Sequence, residues 1–381
     1  MMLLALGVAL LATPNLANTA SCNQPAPKAI FYVSLPGSPF AAIPTDDGCT
    51  IFVSLPATGA RDQSHIAVLA RGDGDVSVAH VIKTKGWVGG MALSPDGRVL
   101  AAADGGGVTL FDARRLIAGV GKPVLGYLNE GPKAGSVYVA FSPNGQLLFV
   151  ANEWSPSISV YSFIGVLAGE PPKMIGKIRV GDSPVGLAIS PDGRLLYSTS
   201  QTIRGATGSC ASEDGKGPRR APGALTVIDV VHAVTDPSSA VLSRVPAGCR
   251  PVRVALSLRG DIAYVTVRGD NSVAVFDTAQ LLNDKTHALV ANIKVGNAPV
   301  GIAVSDGFIF VANSDRFGES KTQSVSVLDP GNLSAPGGSI PAGGFPRELK
   351  LTSDGGTLLV TNFTTHTLEL VDLARLKELP K

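Results

Sequence analysis

The chain has 381 residues, 45% of them hydrophobic and 16% charged, with a formal net charge of +2. A balance this close to neutral, with no Lys/Arg-rich run, excludes a nucleic-acid-binding field. Beyond the N-terminus no stretch reaches the ~18 apolar residues of a membrane-spanning helix, so no transmembrane segment is expected.

Residues 1–21 read as a signal peptide. Leu3 to Ala12 form an apolar core and small residues follow from Ala17 to Ser21, although no Lys or Arg precedes them. A secreted or periplasmic protein is therefore expected. Thr19-Ala20-Ser21-Cys22 is also similar to a lipoprotein cleavage site, but Thr19 stands where a large aliphatic residue is usual. Lipid anchoring through Cys22 is thus the lesser expectation. Residues 22–381 read as a single domain, expected to be a monomer.

An isolated strand comes first, Ala29 to Ser34. Then one pattern recurs seven times, most clearly as Ser190-Pro191-Asp192-Gly193 between two apolar runs. It reads as strand, tight turn, strand: Pro presets φ, Asp bonds nearby backbone, and Gly accepts positive φ. The copies start at Thr45, Ser94, Ser142, Ser190, Ser257, Ser305 and Thr352, at intervals of 49, 48, 48, 67, 48 and 47 residues. A third run follows each pair, from Ile66, Val108, Ile158, Leu225, Val273, Val325 and Leu368. A fourth follows in its turn, as at Lys177–Val180 and Asn292–Val295. Helical periodicity is confined to brief segments such as Ala113–Ala118 and Ala374–Glu378.

Four strands per repeat of this length predict an all-β, seven-bladed β-propeller with four antiparallel strands (A to D) per blade. The last repeat lacks a strand D, and the isolated N-terminal strand supplies it, which closes the ring without a free edge. The A–B turns then share the bottom face, and the B–C and D–A connections share the top. Cys22 and Cys49 fall together at the bottom, Cys210 and Cys249 at the top. Of three connectivities, Cys22–Cys49 and Cys210–Cys249 is the one expected.

Phe149-Val150-Ala151-Asn152, Phe310-Val311-Ala312-Asn313 and Leu359-Val360-Thr361-Asn362 end three B strands. With the turn before them and a Ser-Val-Ser-Val-Leu-Asp-like strand after, they resemble the YVTN-type β-propeller repeat, over residues 28–373. Blades 1 and 2 lack the Asn. The resemblance implies a bacterial, exported or surface-associated propeller, and leaves activity open. Similar propellers include lactonases that open sugar lactones and propeller domains of haem or copper enzymes. No cofactor is expected, except Ca²⁺ if the protein is lactonase-like. Asn152, Asn313 and Asn362 would then be its weak ligand candidates, although an Asn after a strand also satisfies its own turn.

Strand A should line the channel. Period-two alternation aims the positions aligned with Gly186 and Ala188 inward. Small residues dominate there. The exceptions are Tyr138, Arg253, Glu348 and Lys350, along with the apolar Ile43 of blade 1; Arg250 and Arg347 lie near the rim. The six polar ones are the candidate binding residues for a small polar or anionic ligand, or for a protein partner, at the top face. They could equally pair with one another and plug the channel. The insert 201–222, with Gly205, Gly208, Gly215, Gly217, Arg204, Lys216, Arg219 and Arg220, and the smaller insert 314–323 would overhang that face. No zinc, haem-attachment, nucleophile-elbow or phosphate-loop motif is present, and no catalytic residue is named. The expected function is a binding or interaction scaffold. The alternative is a lactonase-like hydrolase.

Overall fold

The computed structural model describes residues 22, 28–59, 62–72, 75–166, 169–211, 219–316, 318, 323–334 and 336–378. The segment 1–21, together with Gly215, Lys216 and Gly217 of the larger insert, lies outside these. Seven four-stranded antiparallel sheets form a β-propeller. Blades 1 to 6 use residues 42–83, 91–129, 136–179, 182–246, 251–294 and 299–341. Blade 7 uses 346–372, and Ile30–Ser34 completes it, pairing antiparallel with Thr367–Asp372.

Six of the seven turns share one hydrogen-bond scheme, in which the leading hydroxyl does more than the sequence pattern suggests. Ser190 Oγ donates to Asp192 (2.6 Å) and accepts from the Leu195 amide (2.9 Å), while Gly193 sits at φ 73°. Thr45, Ser94, Ser142 and Thr352 repeat the scheme, with Asn144 in place of Asp after Ser142. In blade 5 the carboxylate comes from Asp261 instead. Blade 6 has a shorter turn without a carboxylate: Ser305 Oγ accepts from the Phe308 amide and donates to the Phe308 carbonyl.

Blades pack face to face, so inner strands are buried on both sides. Leu147–Asn152 is buried throughout, while the outer strand Asp75–Lys83 alternates. One core cluster joins Phe149, Ile158 and Val160 of blade 3 to Leu187, Leu196 and Ile228 of blade 4. The α-helices among the described residues are short and follow strand C, including the expected Ala113–Ala118. Both expected disulfides are present, Cys22–Cys49 and Cys210–Cys249. Among the described residues no helix is long and apolar enough to cross a membrane.

Simple alternation fails at the top of strand A. In blades 3 to 7 a β-bulge shifts the register, between Pro184 and Gly186 in blade 4 and at the matching place in the others. The extra residues Val137, Val185, Val252 and Val300, with Phe40 of blade 1, form an unforeseen apolar ring. The glycines at this level answer a tighter demand than a narrow channel. A Cβ on Gly186 would lie 2.4 Å from the Val252 carbonyl oxygen, and one on Gly301 2.6 Å from that of Arg347.

The carbonyls at this level turn toward the adjacent blade and take donors from it. Ser54 donates to Gly89, Thr199 to Val252, Thr266 to Val300 and Thr361 to Phe40, each from the preceding blade. Thr266 and Thr361 also accept the amides of Arg253 and Glu348 in their own blades. Thr266→Val keeps the shape and leaves a buried amide and a buried carbonyl without partners. It should lower unfolding stability by about 1–3 kcal/mol, read as a shifted urea midpoint at constant slope.

Candidate functional site

The six candidate residues separate into three levels along the channel. At mid-depth, Arg253 of blade 5 and Glu348 of blade 7 are both buried, at 5% and 8% exposure. Arg253 Nε donates to Glu348 Oε1 at 2.8 Å, and its Nη2 contacts the same oxygen. Nη1 donates to the Val185 carbonyl of blade 4. The guanidinium lies 4.5 Å from the ring centroid of Tyr138 in blade 3. One side chain thus ties four blades together. Burial works against its charge, yet Glu348 overrides this and raises its pKa. The same burial, reinforced by Glu348, pushes the Tyr138 phenol up to about 12, so it stays protonated.

Above this cluster Arg347 is stacked on the Phe40 ring, 3.9 Å from its centroid, with Phe345 and Phe363 at 5.7 and 5.5 Å. Trp87 meets Phe40 edge-on at 5.3 Å. Arg347 is half-buried, and its Nε has no hydrogen-bond partner. Lost hydration pulls its pKa down to about 9, against the pull of Glu348 and with help from Arg253, Arg316 and Arg268. It remains a cation at neutral pH.

Four entries into strand A carry a non-glycine residue in the left-handed region just before a proline: Ser183, Arg250, Ala298 and Phe345, with φ from 49° to 57°. This strained backbone rings the upper mouth. Arg250 is buried and directed away from the axis, donating to the Ala211 carbonyl at 2.9 Å. The insert is fastened over blades 4 and 5. Cys210 and Arg220 exchange backbone hydrogen bonds, and Gln201 links Glu153 to Arg268.

Lys350 belongs to the opposite end. It faces a cavity bordered by the A–B turn residues Pro95 and Pro143. Arg347 and Lys350 are three positions apart on one strand, roughly 10 Å at ~3.3 Å per residue.

The strand-B asparagines are buried and bonded within their own blades. Asn152 donates to Ser159, Asn313 to Ser324 and Ser326, and Asn362 to Glu369. Gly296 and Gly343 leave room for the Asn313 and Asn362 amides beneath the incoming D–A connection. Asp104 takes this position in blade 2, accepting from Thr109 and Tyr127. Among the described residues no group of three or more His, Cys, Asp or Glu is placed to hold a metal ion.

Sequence reading missed the apolar ring, the interblade hydroxyls and the aromatic seat of Arg347. The recurring Ser/Thr before the last residue of strand B was the available signal for the second. The seat unites Phe40, Phe345 and Phe363 from both ends of the chain, and no local pattern shows it.

No known protein family's sequence profile matches this chain, and no curated protein does so. The YVTN resemblance therefore stands on the quoted residues alone. Hydrazine synthase of Kuenenia stuttgartiensis is similar in structure, with a TM-score of 0.67 over 89% of this chain and 96% of that one, at 17% identity. At that identity the likeness shows the fold alone.

Two predictions follow from the buried charges. Arg253→Met strands the Glu348 carboxylate and should cost about 3–5 kcal/mol in chemical unfolding, most of it recovered in Arg253→Met/Glu348→Leu. Glu369 is fully buried, accepts from Asn362 and the Gly343 amide, and is pushed up to about 7 by burial. Its folded pKa lies above the unfolded value, so it favours folding at low pH. That contribution is lost as pH rises from about 4.5 to about 7, on the order of 3 kcal/mol in all. In Glu369→Gln this part of the pH dependence should vanish from the stability profile.

Proposed function

We propose that the protein is an exported binding scaffold whose upper channel mouth receives a carboxylate, phosphate or sugar-acid group. The observation that carries this reading is Arg347. Every other arginine near the axis has a role within the fold: Arg253 neutralises Glu348 and satisfies Val185, while Arg250 holds the insert. Arg347 is instead seated flat on an aromatic ring with its Nε unmatched. A guanidinium held this way offers a preorganised fork to an oxyanion.

Three further features support the reading. Arg268 and Arg316 add positive potential at the same mouth. Strained left-handed residues around the mouth are of the kind that persist at ligand clamps. The two disulfides fit an extracellular or periplasmic setting. The closed Arg253–Glu348 pair leaves the mid-channel filled, which suits recognition at the mouth better than chemistry within the channel.

The test is a titration with citrate, inorganic phosphate and gluconate, followed by tryptophan fluorescence, since Trp87 shares the Phe40 platform. Saturable binding is expected for at least one of them, weakened tenfold or more in Arg347→Gln. Equal binding by that variant, or no binding of any probe, would overturn the assignment.

A further inference from the structure

The lower half of the channel is a separate compartment. The Arg253–Glu348–Tyr138 cluster closes it from above. Beneath lies a cavity of about 400 Å³, bounded by blades 1 to 4 and 7. Its wall is mixed: Ile43, Ala92, Ala140 and Ala188 supply apolar surface, while Ser94, Ser142, Tyr138 and Lys350 supply polar groups. Alanine at this level is what leaves the space.

Two polar groups of the wall are uncommitted. The Lys350 ammonium makes no ion pair or hydrogen bond among the described residues, and neither does the Tyr138 hydroxyl. Both are donors. The one acidic side chain in the ceiling, Glu348, is already neutralised by Arg253. The Lys350 side chain is exposed to this cavity, and the strands packed around it lower its pKa.

We infer that this pit binds a small monocarboxylate with an apolar body, its head on Lys350 and Tyr138 and its body among the alanines. A single ammonium balances a single negative charge. A phosphate dianion would bring more acceptors than these walls can satisfy. A neutral ligand of the same shape would leave the ammonium uncompensated. The volume lies within the range of small-molecule sites, which combine apolar surface with a few placed polar groups. This site is distinct from the upper mouth, because the mid-channel cluster separates the two.

Calorimetric titration of the mature protein with linear carboxylates of four to eight carbons tests the inference, with hexanol and inorganic phosphate as comparisons. Saturable binding of a carboxylate is expected, with hexanol at least tenfold weaker. Lys350→Met should weaken carboxylate binding tenfold or more. Tyr138→Phe should weaken it less. Ala140→Leu, which fills the pit without touching a charge, should abolish it and keeps the test valid if the lysine variant folds poorly. No saturable binding by any of the carboxylates would overturn the proposal. So would undiminished binding in both Lys350→Met and Ala140→Leu, or competition between the carboxylate and citrate.

Discussion

Each blade sends its innermost strand toward one axis, and at the upper end that strand turns a carbonyl sideways into its neighbour. These carbonyls are buried, and a buried carbonyl without a donor is costly. Six of the seven junctions solve this in identifiable ways. Four use a Ser or Thr hydroxyl from the preceding blade. The Gly90 amide serves Val137. The sixth is Val185, where the preceding blade has Ala151 in the hydroxyl position. Arg253 reaches back from the following blade to fill that gap.

The remaining charges in the channel follow from that substitution. A guanidinium brought to the axis needs a counter-charge, and Glu348 supplies it from across the ring. Its flat face needs a neighbour, and Tyr138 stacks there. Arg253, Glu348 and Tyr138 thus form one structural unit, founded on a missing hydroxyl. Arg347 and Lys350 are outside that unit, one above it and one below. Separating the charges that complete the backbone from those that do not is what isolates the two candidate sites.

The architecture could be read from the sequence because it depends on repetition. Turn residues recurring every ~48 positions, the missing last strand and the spare first one determine the ring, and the ring brings the cysteines into pairs. The channel resisted the same reading for two physical reasons. Period-two alternation holds only in regular strand, and the bulge adds a residue where the ligand-facing level begins. Partners there are also remote: Arg253 and Glu348 are 95 residues apart, and Thr361 and Phe40 are 321 apart. Tyr138, Arg253, Glu348 and Lys350 could be picked out as exceptions to a small-residue rule, yet not sorted into plug and pocket. Arg347 looked like a rim residue until its aromatic seat was visible.

The Cys22–Cys49 bridge changes how the ring would bear mechanical load. Ile30–Ser34 is the outermost strand of blade 7 and closes the circle by hydrogen bonds and packing, without a covalent link of its own. A pull applied ahead of residue 22 would otherwise peel that strand away like a zipper. The bridge lies upstream of the strand and leads straight to Cys49 at the base of blade 1. Tension entering from that side can pass through a covalent link into the next blade, leaving the closing strand slack. Reduction would remove this bypass and make the seam the first part to yield.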